Sequence, residues 1–343
     1  MRHLILPAIN RCTIVLLYSI WRRHNNRRAR ALTGSVCFVI VQRMISSHDA
    51  TDRASPPWTW NAIAALIRLD NQSGTLLLLF PSLWSLVLAN HGRPPFWLIV
   101  TFILGAFVMR SLGVVFNDLA DRNFDRQVAR TRNRPLAAGR LSPHQALVVA
   151  LAFAVAAASL VATLNWLTIL LSPIALFLAA LYPFCKRWIH IPQAVLGIAF
   201  GWGSIMAWAA SSGTIAPAAW WLFAATTCWA VAYDTIYALQ DREDDRRIGV
   251  KSSALLFGTG VPTAVGLFLL GMVACLIVVG QLSDLGMGYY GALTLLAGIF
   301  LWQARRLRCP VTPPQAFTMF QQHVLAGLVI LITLWISTAN GLP

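Results

Sequence analysis

From about residue 70 onward, long apolar runs alternate with short polar loops. A helix that crosses the hydrocarbon of a bilayer needs ~20 mostly apolar residues. Nine runs fit that length, at about 74–91, 96–116, 144–163, 166–184, 191–211, 217–239, 260–280, 285–303 and 318–338. Runs of this kind, rather than the narrow periodic stripes of soluble helices, favour lipid as the solvent. The pattern predicts an all-α polytopic membrane protein, a bundle of nine transmembrane helices embedded in a lipid bilayer. The runs at 166–184 and 191–211 are separated by little more than the stretch from Lys186 to His190. Pro173, Pro183 and Pro192 are expected to kink or end helices around that turn.

Composition agrees: the chain is 57% hydrophobic and 11% charged, where a soluble domain carries about a quarter charged residues. Its net charge is +15. A basic excess can signal nucleic-acid binding, but here the arginines lie mainly between apolar runs, as the positive-inside bias of cytoplasmic loops requires. No nucleic-acid partner is therefore expected. The basic loops are 117–143, 185–190, 240–259 and 304–317, and they alternate with loops whose charged residues are Arg93 and Asp284. That alternation puts the N-terminus and all four basic loops in the cytoplasm and the C-terminus across the membrane. The six cysteines are scattered without a CxxC pair, so neither a zinc site nor a disulfide framework is indicated.

The chain divides into a basic extension, 1–57, and a membrane domain, 58–343. The first forty-odd residues are rich in arginine, and the first acid is Asp49. Three readings stand side by side: an organellar transit peptide, a cytoplasmic extension, or a true start at Met44. The first would place the protein in the mitochondrial inner membrane, the others in a bacterial inner membrane.

Eight of the twelve acidic residues fall in two short stretches, each at the cytoplasmic end of an apolar run. Asp118, Asp121 and Asp125, read as helix, lie at i, i+3 and i+7 on one face. Asp234, Tyr237, Asp241 and Asp244 or Asp245 repeat that spacing. Like charges so placed repel, and a carboxylate inside lipid is costly. A divalent cation would compensate both, and an all-oxygen donor set selects Mg2+ over zinc or copper. Because Mg2+ commonly bridges a few carboxylates to phosphate oxygens, two such clusters beside basic residues suit a diphosphate. The competing explanation is simple pairing of the acids with Arg122, Arg126, Arg246 and Arg247.

At these positions the sequence resembles the UbiA superfamily of intramembrane prenyltransferases. Asn117-Asp118-Leu119-Ala120-Asp121-Arg122-Asn123-Phe124-Asp125 is similar to its N-D-x-x-D-x-x-x-D motif, and the stretch from Asp234 to Asp245 to its D-x-x-Y-A-x-x-D-x-x-D-D motif. Arg68-Leu69-Asp70 followed by Gly74-Thr75-Leu76-Leu77-Leu78 resembles the entry segment of the 4-hydroxybenzoate branch, with Asn71-Gln72 replacing the usual Lys-Pro. Arg134-Pro135-Leu136, the stretch Tyr182–Arg187 and the stretch Ile248–Ala254 match further family patterns. The resemblance covers about residues 60–340.

The resemblance implies transfer of a polyprenyl group from polyprenyl diphosphate to an aromatic acid, ortho to the hydroxyl of 4-hydroxybenzoate, in ubiquinone synthesis. It implies that Asp118, Asp121, Asp125, Asp234, Asp241 and Asp245 hold Mg2+ and the diphosphate, with Asn117 beside them. Asp118, Asp121, Asp234 and Asp241 are then the carboxylates on which catalysis depends. Tyr237 would position a diphosphate oxygen, and Lys186, Arg134, Lys251 and Arg130 would neutralise the leaving group. Arg68 is the candidate for the acceptor's carboxylate. Sister activities on homogentisate, a naphthoate or a tetrapyrrole are the enzymatic alternatives. A transporter is the non-enzymatic one, since intramembrane acids often mark ion pathways.

Overall fold

The computed structural model describes residues 56–339, so the readings of the basic extension up to residue 55 lie outside the described residues. Each of the nine apolar runs falls on one long helix: α1 Ser73–Ala89, α2 Phe96–Asp125, α3 Pro143–Val161, α4 Trp166–Trp188, α5 Pro192–Ser212, α6 Pro217–Ala238, α7 Val261–Leu282, α8 Met287–Arg306 and α9 Pro313–Ala339. A short helix, Trp60–Leu66, precedes them, and two more, Arg242–Ile248 and Ser253–Phe257, lie between α6 and α7. Six stretches are long and apolar enough to cross a membrane by length and composition: α2, α3, α4, α5, Ser253–Leu282 and α9. The protein is thus an all-helical, multi-pass membrane protein. α1 is a shorter apolar helix, and α6 and α8 carry more polar residues, Asp234 and Gln303 among them.

The helix ends follow local chemistry. Ser142 and Gln145 form a reciprocal capping box at the start of α3. Asn165 caps α4 through the Thr168 amide at 3.0 Å. Pro143, Pro192 and Pro217 open α3, α5 and α6, where a missing N–H costs nothing. Pro173 and Pro183 end nothing: α4 runs through both to Trp188. That carries Lys186 onto the last helical turn, where the sequence suggested a loop.

α6 is the centre of the bundle, packed against α1, α5, α7 and α9. Between membrane helices lipid supplies little hydrophobic drive, so close backbone contact has to hold them. Gly197 and Gly201 provide it on α5. A Cβ on Gly197 would stand 2.8 Å from the Thr227 carbonyl oxygen of α6, and one on Gly201 2.9 Å from that of Phe223. This GxxxG spacing draws α5 against the helix that bears Asp234. Trp84 of α1 ties to α9 through an indole hydrogen bond to the Gly327 carbonyl at 3.1 Å. Large apolar side chains such as Phe96, Leu151, Trp166 and Leu295 are exposed on the outside of the bundle, the surface a lipid solvent would cover.

Candidate active site

Three of the basic loops meet at one end of the bundle. α2 continues nine residues beyond its apolar run to Asp125, and the extension carries the first acidic cluster as helix, in the register read from the sequence. The second cluster is built differently from the continuous helix that its spacing suggested. α6 ends at Ala238, a 3-10 turn covers Leu239–Asp241, and a separate helix holds Asp244 and Asp245. Tyr237 and Asp234 therefore project from α6, while Asp241 sits on the turn.

Basic side chains lie between these carboxylates. Arg68, left-handed at φ 57° just past the short first helix, donates from Nη2 to both Asp118 oxygens at 2.9 and 3.0 Å. Arg134 reaches Asp118 at 3.2 Å and Asp125 at 2.9 Å through a single nitrogen, Nη1. Lys186 Nζ donates to Asp121 at 3.0 Å and to Asn117 Oδ1 at 3.2 Å. Arg130 grips both oxygens of Asp241 and donates to Tyr237 Oη at 2.9 Å. Burial opposes the charges of Arg134 and Arg130, but their carboxylate partners outweigh it and raise both pKa values. Of the four arginines set against the acids from sequence alone, Arg247 makes an ion pair, with Asp244 at 2.9 Å.

Asp234 and Asp245 stand apart, since neither side chain takes an ion pair among the described residues. Burial, reinforced by the charge of Asp241, pushes the Asp245 carboxyl up to about 6. Lys251 lines the same cavity, yet its ammonium donates to the Trp188 carbonyl at 3.0 Å. Its backbone N–H donates to the Lys186 carbonyl at 3.1 Å. Those two bonds tie the loop before α7 to the end of α4.

Among the described residues, no three carboxylate, histidine or cysteine side chains converge as a ready-made metal cage. The donor set of Asp118, Asp121, Asp125, Asp234, Asp241, Asp245 and Asn117 is all oxygen and fits a hard cation.

The acids open onto a cavity of about 410 Å3. It runs between α2, α3, α4 and α5 towards Thr101, Leu164 and Met206. At 1.5 Å per residue, the α2 wall from Asp118 to Thr101 spans about 25 Å, most of the thickness of a bilayer core. Below the acids the wall is largely apolar, with Met109, Gly113, Leu160 and Ala179 among its residues.

Sequence reasoning passed over one residue in this wall. Arg110 lies within the apolar run of α2, two turns below Asn117, and makes no ion pair or hydrogen bond among the described residues. A Cβ on Gly74 would stand 2.5 Å from Arg110 Nε, so that glycine makes room for the guanidinium. A lone arginine inside a membrane run is itself a sign of function.

The chain is similar to known proteins. The sequence profile of the UbiA prenyltransferase family matches residues 78–326. The chain is 45% identical over 274 residues to the 4-hydroxybenzoate octaprenyltransferase of Vibrio cholerae, covering 79% of this chain and 96% of that one. It is 44% identical to the enzyme of the same name from Pectobacterium carotovorum, over 82% and 98% of the two chains. In fold it is similar to the apo structure of a UbiA homolog from Aeropyrum pernix K1, with TM-score 0.66, 26% identity and coverage of 76% and 97%. A UbiA homolog from Archaeoglobus fulgidus bound to GPP and Mg2+ shares the fold at TM-score 0.56 and 16% identity, over 80% and 99%. With a family profile across most of its length and paired acidic motifs at the head of an apolar cavity, the chain belongs to the UbiA prenyltransferase family.

Proposed function

We propose that this protein transfers a polyprenyl group from polyprenyl diphosphate to the ring carbon ortho to the hydroxyl of 4-hydroxybenzoate, with Mg2+ as cofactor. The setting is a bacterial inner membrane, with the basic loops facing the cytoplasm. The observation that carries this reading is the joining of two acidic clusters, four cations and an apolar cavity into one continuous site. Relatives that match this chain at 43–48% identity carry the name 4-hydroxybenzoate octaprenyltransferase, and they support the choice of acceptor.

The carboxylates of both clusters would hold the metal, with Asn117 beside them. Bound there, a divalent cation would draw charge from the diphosphate and make it a better leaving group. Arg68, Arg130, Arg134 and Lys186 surround the same space and would take up its remaining oxygens by charge-assisted hydrogen bonds. The apolar wall below would accept the polyprenyl tail and keep water from the allylic cation as the C–O bond ionises. The acceptor ring would then attack that cation from its ortho carbon, and the ortho proton it sheds would pass to the released diphosphate.

The acceptor's carboxylate has to be held away from the metal ligands. Arg68 is engaged with Asp118 on both oxygens, whereas Arg110 has no such partner and lies deeper in the same cavity. We therefore assign the carboxylate of 4-hydroxybenzoate to Arg110 and leave Arg68 to the acidic cluster and the diphosphate.

The test is reconstitution in lipid nanodiscs with Mg2+, 4-hydroxybenzoate and octaprenyl diphosphate. The expected product is the ortho-prenylated acid, formed in the presence of Mg2+ and abolished by EDTA. Product from homogentisate or a naphthoate but none from 4-hydroxybenzoate would move the assignment to a sister activity.

A further inference from the structure

Arg134 occupies an unusual position. A single nitrogen, Nη1, lies within hydrogen-bonding distance of two carboxylates of α2, 3.2 Å from Asp118 Oδ1 and 2.9 Å from Asp125 Oδ2. Those two acids are seven residues apart on one helical face. Without a cation between them they would repel across a buried space, since Asp118 is fully buried and Asp125 nearly so. Arg134 reaches in from the loop after α2, and that loop is braced by its own bonds. Thr131 Oγ1 donates to the Asp125 carbonyl at 3.1 Å, and the Ala138 N–H donates to the Arg134 carbonyl at 2.8 Å. The loop backbone is thus held, and the long side chain alone spans the gap to the two carboxylates.

The same arrangement recurs around the site. Lys186 covers Asp121, and Arg130 covers Asp241. Arg68, Arg130, Arg134 and Lys186, all suited to a diphosphate oxygen, are each already bound to a carboxylate suited to a metal ion. A metal arriving alone must displace a guanidinium that then lacks an anion. A diphosphate arriving alone must draw the arginine away from Asp125, which then lacks a cation, and from Asp118, which is left with Arg68 alone. Arriving together, each ligand supplies what the other strips away.

We propose that Arg134 holds the place of a divalent cation between Asp118 and Asp125 and passes to the diphosphate when that cation binds. Metal and diphosphate therefore bind as a mutually dependent pair, with Arg134 as the coupling residue. The proposal rests on the reading of this site as a metal–diphosphate site. Because coupling between two ligands is reciprocal, it can be measured from either side.

The experiment measures binding to the full-length protein in nanodiscs, without turnover. Mn2+ binding is followed by equilibrium dialysis in the absence of diphosphate. Binding of radiolabelled inorganic diphosphate is followed with and without saturating Mg2+. In the wild type, Mg2+ should tighten diphosphate binding by roughly tenfold or more, within the usual span of coupling. Arg134→Gln should bind Mn2+ alone roughly tenfold more tightly than wild type and lose most of the Mg2+ effect on diphosphate. Arg134→Lys, which keeps a place-holding charge, should behave closer to wild type, so a general loss of fold is distinguishable from loss of coupling. Equal Mn2+ affinity in wild type and Arg134→Gln would overturn the proposal, and the site reading would stand provided Mg2+ still strengthens diphosphate binding. If Mg2+ has no effect on diphosphate in the wild type, the site reading itself fails and takes the proposal with it.

Discussion

On α2, the carboxylates of Asp118, Asp121 and Asp125 each take a basic partner, and Asp118 takes two. On the other side of the cavity, Asp234 and Asp245 take none among the described residues, while Asp241 is gripped by Arg130 and Asp244 pairs with Arg247. The first cluster rides a continuous helix; the second is divided between α6, a 3-10 turn and a short helix. One side is therefore neutralised before any ligand arrives and is stable as built. The other leaves Asp234 and Asp245 without a basic partner, a placement that costs free energy inside a membrane and that a bound cation would relieve. Placement on the same cavity does not make the two clusters equivalent.

Substitution separates them most sharply. Asp234→Asn should lower turnover by roughly a hundred- to a thousandfold, the range for losing one preorganised electrostatic contact. It should leave thermal stability equal or higher, because an unpaired carboxylate is removed. Asp118→Asn should lower turnover as strongly and also destabilise the protein by about 3–5 kcal/mol, since Arg68 and Arg134 lose a buried partner. Paired activity assays and thermal melts in nanodiscs check this. Identical stability changes in the two variants would erase the distinction between the clusters.

The arginines give the next contrast. Arg110→Gln should raise the KM for 4-hydroxybenzoate roughly ten- to a hundredfold, as expected for a lost charge-assisted hydrogen bond of about 1.5–3 kcal/mol. The KM for the polyprenyl diphosphate should change little. Arg68→Gln should do the reverse, because its partner is Asp118. Steady-state kinetics with each substrate varied in turn distinguishes the two, and an acceptor-specific effect at Arg68 would return the acceptor site to it.

Much of this was legible in the sequence, for physical reasons. Lipid forces backbone polar groups into helices, so each apolar run falls on a helix, and six lie in stretches long and apolar enough to cross a membrane. The α2 carboxylates kept their helical register because nothing interrupts that helix before Asp125. Legibility ended where partners are chosen in three dimensions. The acids were set against nearby Arg122, Arg126, Arg246 and Arg247, but most of the pairing falls to Arg68, Arg130, Arg134 and Lys186. Arg68 and Lys186 come from segments distant in sequence. The 3-10 turn at Leu239–Asp241 leaves no mark in a spacing that still looks helical. Arg110 was hidden by the strength of its surroundings, since one charge barely alters an apolar run.

The smallest effect concerns pH. Asp245 has a carboxyl raised to about 6 from a reference of 3.8. Between those values the folded state binds the proton more readily than the unfolded chain, so this group's contribution to stability falls as pH rises through that window. A metal ion has to compete with the same proton. The Mg2+ concentration for half-maximal activity should therefore increase as pH falls through about 6, and Asp245→Asn should flatten that dependence. An unchanged slope in the variant would remove Asp245 from the ligand set.

The most direct measurement is a structure of the protein with Mg2+ and a non-hydrolysable thiolo analogue of the polyprenyl diphosphate. The account predicts metal density touching at least one carboxylate from each cluster, Asp121 or Asp118 on α2 and Asp234 or Asp241 across the cavity. The tail should run along α2 towards Thr101. Metal confined to one cluster, or a tail lying outside the cavity, would contradict it.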